Sequence, residues 1–380
     1  MRLATSRLLL IIVSVCIALI ALEVTFRIIG RPQVQTSGWR SKDFVFTKSV
    51  PAAELNQFGY RGQKIEYSDD DFVIALVGDS QVEARACAYE WMPERRLQYH
   101  LNSDGKKIKV FTIGATSYGQ DQELLALKDY FQKFRANLVV VWLTPQNDIW
   151  NNVFPTNQGD NAPAKPTFWL ENGQLRGPSE EQIGQRVRGT PALKLAALWR
   201  RFFAPRRDRE WETKYLPEPY QPMSAYSGPV QTDWQQFWDT NFGDMRNENL
   251  SIEKSNFAML LTPRSRRTQY GLDLTHKLLE EIRKLAAAQG SQFLVFESLS
   301  SDDRSFAGQE VHVLNGKYYQ TSGRQFRDNV AYIVEGLNYH LIPVTLEPHR
   351  VGPEDSHLNE HAVDELMRSL SEIIKGNIKQ

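Results

Sequence analysis

The sequence predicts an α/β fold, a three-layer sandwich in which helices cover both faces of a central parallel sheet. Two observations support this prediction: short apolar runs rich in strand-forming residues recur along the chain, and segments with helical spacing of apolar residues separate them. Strands and helices that alternate in this way form parallel sheets with helices on both faces. A third observation, a long apolar run near the N-terminus, predicts a further helix outside the sandwich.

The predicted elements alternate along two blocks of the chain. Residues 72–77 (FVIALV) form the clearest strand, because the run is apolar and rich in residues that favour strands. Further strands are predicted at residues 109–113, 138–143, 292–297 and 340–344, and helices at residues 81–100, 122–134, 270–289, 323–337 and 359–374. The two blocks, residues 71–150 and 256–380, are therefore predicted to form one core.

The apolar run near the N-terminus predicts a membrane anchor within residues 1–30. Arg2 and Arg7 precede residues 8–22, a run of fifteen residues without a charge. The run is short for a full span, which needs about 20 residues, but no small-residue cleavage pattern follows it. We therefore interpret residues 8–29 as an uncleaved signal anchor, a transmembrane helix. Because arginines mark the cytoplasmic side of a span, the rest of the chain is expected in the periplasm or outside the cell.

Two stretches, residues 31–70 and 151–255, break the alternation of strands and helices. The first is polar with Gly, Ser and Pro, and is interpreted as a linker that leads into the core. The second is rich in Pro, Gly, Trp and Arg, and because long structureless connections are uncommon, it is predicted to be an inserted lid or cap. Aromatic rings suit sugars, but we favour the interpretation that most of them form the core of the lid. The aromatic residues considered are Trp150, Phe168, Trp169, Trp199, Phe202, Phe203, Trp211, Tyr215, Tyr220, Tyr226, Trp234 and Trp238.

Composition excludes several kinds of partner. Lys+Arg and Asp+Glu each number 45, so the net charge is zero and gives no support for nucleic-acid binding. One cysteine, Cys16, lies in the apolar run and the other, Cys87, lies in the predicted core, so neither a disulfide nor a thiolate metal site is expected. His357 and His361 would share a helix face, but we favour a surface position for His361 over a zinc site. No metal and no cofactor are expected.

Three short motifs stand at predicted strand ends, where open α/β sheets bind ligands, and a fourth lies near the C-terminus just before the last predicted helix. Ser80 follows the first strand in a Gly-Asp-Ser turn, and Gly114 begins a run of small residues after the second. Asn147 follows the third strand, and Asp355 stands two residues before His357 near the C-terminus. A serine hydroxyl can attack a carbonyl, N–H groups can bind the oxyanion that develops, and an acid can orient a histidine. Each motif alone is typical of an ordinary turn, and only their order indicates an active site.

In this order the motifs resemble the four sequence blocks of the SGNH/GDSL hydrolase superfamily, which supply Ser, Gly, Asn and His. The N-terminal run and residues 56–62 (NQFGYRG) resemble in particular the membrane-anchored bacterial branch. The resemblance covers residues 1–150 and about 265–380, and it does not explain the insertion. It implies the SGNH/flavodoxin-like form of the sandwich and a serine-dependent reaction at ester bonds.

The resemblance also implies a role for each motif. Ser80 is the nucleophile, His357 is the general base and Asp355 orients its ring. The oxyanion hole consists of the Ser80 backbone N–H, the Asn147 amide and a backbone N–H of the second block. Glu354 is an alternative to Asp355, because the carboxylate stands three residues before the histidine in some branches.

In the second block this sequence departs from the family pattern. The glycine of that block falls on Ser117 when Tyr118 and Gly119 are aligned to the usual pattern. The contribution there is a backbone N–H, which serine also has, although a glycine conformation would strain it. Gly114 is the alternative assignment.

The resemblance implies that the chain hydrolyses or transfers an ester-linked acyl group. The expected substrate is an O-acetyl group on a carbohydrate outside the cytoplasm. Water as the acceptor gives an esterase and a sugar hydroxyl gives an acyltransferase, and both remain open. A different interpretation also remains open, a catalytically silent, membrane-tethered protein that binds glycans or assists polysaccharide assembly.

Overall fold

The computed structural model describes residues 2–29, 51–102, 107–156, 165–178, 207–230, 253–300, 308–314, 316–352 and 355–378. The strands are β1 (Phe72–Gly78), β2 (Ile108–Gly114), β3 (Leu138–Trp142), β4 (Trp169–Glu171), β5 (Gln174–Arg176), β6 (Gln292–Ser300), β7 (Gln309–Leu314), β8 (Lys317–Ser322), β9 (Tyr339–Val344), β10 (Arg350–Gly352) and β11 (Asp355–Leu358). The helices are α1 (Arg2–Ile29), α2 (Ser80–Glu83), α3 (Pro93–Leu101), α4 (Gln120–Tyr130), α5 (Pro145–Val153), α6 (Arg207–Tyr215), α7 (Arg266–Ala288), α8 (Gly323–Ile333) and α9 (Glu360–Ile378).

Five strands form one parallel sheet in the order β2-β1-β3-β6-β9, which confirms the predicted parallel sheet. β1 pairs with β2 along its whole length, so that Gly78 lies opposite Gly114 at the carboxyl ends. The strand order changes direction at β1, and open α/β sheets bind ligands at such points. The pairs β4–β5, β7–β8 and β10–β11 are antiparallel and lie outside this sheet, and none of them is predicted from the sequence.

The sheet separates two apolar clusters, one on each face. In β1, Val73, Ala75 and Val77 belong to one cluster, whereas Ile74 and Leu76 belong to the other. Apolar residues of α4, α5, α7 and α8 complete the first cluster, and those of α3 and α9 complete the second. Burial on both faces explains why the strands are continuous apolar runs, and it confirms helices on both sides of the sheet.

The N-terminal apolar run forms α1, which confirms the predicted helix. The large apolar side chains that are described between Ile11 and Val24 are exposed, and Ile20 is 64% exposed. No helix in the part of the chain that the structure describes is long and apolar enough to cross a membrane. The predicted transmembrane helix is therefore not found. Arg7 and Glu23 limit the uncharged stretch to fifteen residues, whereas a full span needs about 20.

The described parts of the insertion pack against the core. Phe168 and Tyr220 belong to the apolar cluster that α5 and α7 share. Trp211, on α6, is also buried, and its indole N–H donates to the backbone oxygen of Val153 over 3.0 Å. These three aromatic rings are therefore part of the hydrophobic core. The role of the insertion as a lid stays a prediction. Several of its predicted aromatic residues lie outside the described residues: Trp199, Phe202, Phe203, Trp234 and Trp238.

Helix α5 is not predicted from the sequence, in which the motif of Asn147 (residues 144–148) is by itself typical of an ordinary turn. Pro145 begins the helix, where the missing N–H of proline has no cost. The helix continues through residue 151, the predicted start of the insertion. It packs closely on α7, because a Cβ on Gly271 would lie 2.8 Å from Cγ1 of Ile149. This contact holds the start of α5 beside the end of β3.

A buried glutamate makes the stability of the fold depend on pH. Glu94, on α3, is fully buried, and its carboxyl oxygens accept the backbone N–H groups of Gln63 at 2.7 Å and Thr112 at 2.6 Å. Burial raises the pKa of Glu94 to about 7, and these hydrogen bonds only partly oppose it. The folded state keeps the proton up to about pH 7, whereas the unfolded chain releases it near pH 4.5. The stability that this group contributes is therefore present below pH 4.5 and lost as the pH rises to 7.

Glu94→Gln is expected to remove this part of the pH dependence. In the parent, deprotonation of Glu94 should lower the free energy of unfolding by on the order of 2–3 kcal/mol between pH 4.5 and 7. Urea denaturation at several pH values would measure this change. Other buried carboxyls act in the same direction, so the prediction concerns the difference between parent and variant. Glu90→Gln changes an exposed glutamate and should keep the slope of the parent. Equal slopes for the parent and Glu94→Gln would contradict the assignment.

Candidate active site

The first motif forms a tight turn between β1 and α2. Asp79 caps α2, because its Oδ1 accepts the backbone N–H of Gln81 at 2.8 Å, and Ser80 is the first residue of the helix. Gly78 makes the turn possible, since a Cβ there would lie 2.6 Å from Cγ2 of Val82. Asp79 is buried and Ser80 is half-buried. The serine therefore lies at the carboxyl end of the sheet, as the sequence predicts.

The second motif begins beside the first. A Cβ on Gly114 would lie 2.4 Å from the backbone oxygen of Gly78, so glycine allows the two strand ends to approach. Three residues later, Ser117 has φ +63°, in the left-handed region that residues with a Cβ rarely adopt. Ser117 is also buried. The backbone at this position thus has the conformation that favours glycine.

The third motif is joined to the first by a hydrogen bond. Asn147, in the first turn of α5, donates from Nδ2 to Oδ2 of Asp79 over 3.0 Å. The next residue, Asp148, is buried, and its Oδ2 accepts the backbone N–H of Thr144 and the side-chain amide of Gln120, both at 2.8 Å. The start of α5 is thereby tied to the turn before Ser80 and to the start of α4.

The fourth motif is an acid–histidine pair on β11. Nδ1 of His357 lies 2.5 Å from Oδ1 of Asp355, which also accepts the backbone N–H of His357 at 3.0 Å. Burial raises the pKa of Asp355, but these two hydrogen bonds outweigh it and the net pKa is lowered. The carboxylate is therefore ionised at neutral pH and can only accept, so that the Nδ1 proton points to it and Nε2 is the basic nitrogen. Glu354, the alternative carboxylate, lies outside the described residues.

The last motif packs against the first. The backbone N–H of Leu358, on β11, donates to Oε1 of Gln81, on α2, at 3.4 Å, and Sγ of Cys87 lies 3.7 Å from the backbone oxygen of Leu358. Burial raises the pKa of Asp79, and its hydrogen bonds with Gln81 and Asn147 and the charge of His357 only partly oppose this. The structure therefore brings together the motifs of Ser80 and His357, 277 positions apart in sequence (357 minus 80).

Three buried carboxyls next to these motifs are not predicted as site residues. Burial raises the pKa values of Asp79, Glu123 and Asp148, and repulsion between them raises those of Glu123 and Asp148 further. Asp79 and Asp148 adjoin Ser80 and Asn147, so their positions in the motifs were a usable signal. Glu123 carries no such signal, because a glutamate in the first turn of a helix usually faces solvent.

Metal ligands are not clustered in this region. The residues that the structure describes contain no group of three or more His, Cys, Asp or Glu side chains that could hold a metal ion. His361 is exposed on the first turn of α9, and its ring lies 5.8 Å from that of Trp91 in an edge-on contact.

No protein-family model matches the sequence, and no curated protein matches it. The structure is similar to an acetyl xylan esterase from the rumen bacterium Butyrivibrio proteoclasticus, with 9% identity, a TM-score of 0.33, and coverage of 83% of this chain and 66% of that chain. It is similar to a protein assigned as an arylesterase from Agrobacterium tumefaciens str. C58, with 10% identity, a TM-score of 0.36, and coverage of 80% and 99%. A GDP-L-fucose synthetase from Naegleria fowleri bound to NADP has 9% identity and a TM-score of 0.21, with coverage of 82% and 96%. Scores this low carry no conclusion about activity.

Proposed function

We propose that the chain is a serine esterase of the SGNH type, with Ser80 as the nucleophile and His357 as the general base. The observation that carries this proposal is the Asp355–His357 pair on β11, which packs against the helix that begins with Ser80. A serine at a strand end, a histidine with an oriented ring and an amide donor are the groups that acyl transfer needs.

The first step forms an acyl-enzyme. Nε2 of His357 takes the proton of the Ser80 hydroxyl as Oγ attacks the ester carbonyl, and Asp355 stabilises the imidazolium that results. The tetrahedral oxygen is held by the backbone N–H groups of Ser80 and Ser117 and by Asn147. The Asn147 amide has two N–H groups and donates one to Asp79, so the other is available to the oxyanion.

Departure of the alcohol completes the acyl-enzyme, and water then releases the acyl group. His357 returns its proton to the alcohol oxygen as the ester C–O bond breaks and the alcohol leaves. His357 then takes a proton from water, the hydroxide oxygen attacks the acyl carbon, and Ser80 leaves with a proton from His357. A sugar hydroxyl in place of water would make the same residues an acyltransferase.

For the second N–H of the oxyanion hole, Ser117 is favoured over Gly114. Gly114 pairs with Gly78 at the end of the sheet, and its lack of a Cβ is explained by the close approach of the two strands. Ser117 lies in the turn beyond the sheet and has the left-handed backbone of a glycine position. The substrate we propose is an O-acetyl ester of a carbohydrate outside the cytoplasm.

A labelling experiment tests the proposal. The full-length chain in detergent should react with a fluorophosphonate probe and release p-nitrophenol from p-nitrophenyl acetate. Ser80→Ala, shown to be folded by thermal melting, should lose both activities, whereas Ser224→Ala, at an exposed serine outside the four motifs, should keep them. Equal labelling of Ser80→Ala and the parent would contradict the assignment. No reaction in the parent would favour a binding protein that has kept the fold.

A further inference from the structure

A carboxylate on the helix of Ser80 holds the turn that contains Ser117. Glu83, the last residue of α2, is 3% exposed, and its Oε2 accepts the backbone N–H of Thr116 at 2.9 Å. The same oxygen accepts the hydroxyl of Thr116. Two hydrogen bonds to one buried carboxylate therefore fix the residue directly before Ser117, and hydrogen bonds to charged acceptors are the stronger kind.

Glu83 is itself held in place by two arginines. Nη2 of Arg85 lies 2.8 Å from Oε1 of Glu83. Arg61 donates to the backbone oxygens that follow the helix, from Nη1 to Ala84 at 2.5 Å and from Nη2 to Cys87 at 2.9 Å. These contacts fix the end of α2, where Ala84 has φ +45°. The carboxylate thus has little freedom to leave the turn.

Arg61 belongs to residues 56–62 (NQFGYRG), a segment to which the proposed reaction assigns no role. The segment also reaches β2, the strand that leads to the turn, because Nδ2 of Asn56 donates to the backbone oxygen of Thr112 at 3.0 Å. Nε of Arg61 is paired with Glu54 at 2.8 Å. The segment therefore connects the end of α2, which carries Glu83, with β2, the strand that leads to the turn of Thr116.

Ser117 needs such support, since nothing in its own residue type favours its conformation. A serine without tertiary contacts prefers negative φ, and relaxation toward it would turn the backbone N–H of Ser117 to a different direction. Oxyanion donors act only when they point at the position of the developing charge. A glycine would adopt this backbone conformation without cost. This chain has a serine here, and contacts from other segments hold its conformation.

We propose that Glu83, supported by Arg61, is a positioning residue that holds the backbone N–H of Ser117 toward the oxyanion. The inference rests on the proposed esterase function and extends it. It predicts an effect on the transition state and not on substrate binding, because the oxyanion forms only after attack.

Kinetics of the full-length chain test the catalytic part. Glu83→Ala should lower kcat for p-nitrophenyl acetate by about 10- to 100-fold per fluorophosphonate-titrated site, with KM within about twofold of the parent, because removal of a complete donor typically costs 10²–10³. Glu83→Gln keeps one acceptor oxygen on the side chain, so its kcat should lie between that of the parent and that of Glu83→Ala. Glu90→Ala, at an exposed glutamate, should equal the parent. Normalisation to titrated sites removes the effect of any unfolded fraction.

Hydrogen exchange tests whether Glu83 holds the backbone N–H of Thr116, and this measurement does not require catalytic activity. In Glu83→Ala, peptides that include the Thr116 amide should exchange at least about tenfold faster than in the parent, because the N–H loses its acceptor. Peptides from α7 should be unchanged. An active parent with normal kcat in Glu83→Ala would overturn the inference, as would unchanged exchange at Thr116. A parent without labelling or hydrolysis would instead refute the proposed function, and the catalytic role of Glu83 with it.

Discussion

His357→Ala is expected to lower kcat for p-nitrophenyl acetate by about a thousandfold, with a smaller effect on KM. Without the imidazole the proposed mechanism has no group that takes the proton of Ser80 at neutral pH. Fluorophosphonate labelling should slow in parallel, because it also requires an activated hydroxyl. Stopped-flow or steady-state kinetics on the full-length chain would measure both rates.

The matched control for this prediction is His361→Ala. His361 stands four residues later on α9, is exposed, and contacts the edge of Trp91. Its removal should change kcat by less than about threefold, because an exposed ring contact contributes little. A similar loss in both variants would indicate a structural or metal role for the pair, and full activity in His357→Ala would refute its role as the base.

Asn147→Ala is expected to lower kcat by about 10²- to 10³-fold and to leave KM nearly unchanged, because one donor to the oxyanion is lost. The side chain also donates to Oδ2 of buried Asp79, so the variant should lose some stability as well. Kinetics per titrated site and thermal melting would separate the two effects.

Two further variants sharpen the test. Asn147→Asp keeps the shape of the side chain but replaces the donor with a carboxylate beside Asp79, so it should be no more active than Asn147→Ala. Asn338→Ala, at an exposed asparagine before β9, should retain the activity of the parent. Activity of Asn147→Ala within twofold of the parent would remove Asn147 from the oxyanion hole.

The strands β1, β2 and β3 were predictable because they are buried on both faces. Residues 72–77 are apolar throughout, and the structure extends β1 by only one residue, to Gly78. Short antiparallel pairs such as β7–β8 were missed. Buried and exposed residues do not alternate regularly along β7 and β8. Two of the buried residues, His312 and Thr321, are polar. Local pattern fails where burial depends on contacts made by another part of the chain.

The position of Ser80 and Asn147 at the carboxyl ends of β1 and β3 was predictable for a similar reason. Parallel strands direct their carboxyl ends to the same side, so residues that follow them are neighbours wherever they occur in the sequence. The hydrogen bond from Asn147 to Asp79 was not predictable, because it depends on α5, whose start at Pro145 was interpreted as a turn.

The sequence by itself determined the class of fold, the parallel sheet and the strand ends that carry Ser80 and Asn147, because periodicity and strand direction are local properties of the chain. The tertiary structure decided the left-handed backbone of Ser117, the hydrogen bond from Thr116 to Glu83 and the burial of Glu123. Each of these depends on contacts between distant segments. A serine, a threonine or a glutamate has no local feature that distinguishes such a position from an ordinary surface turn.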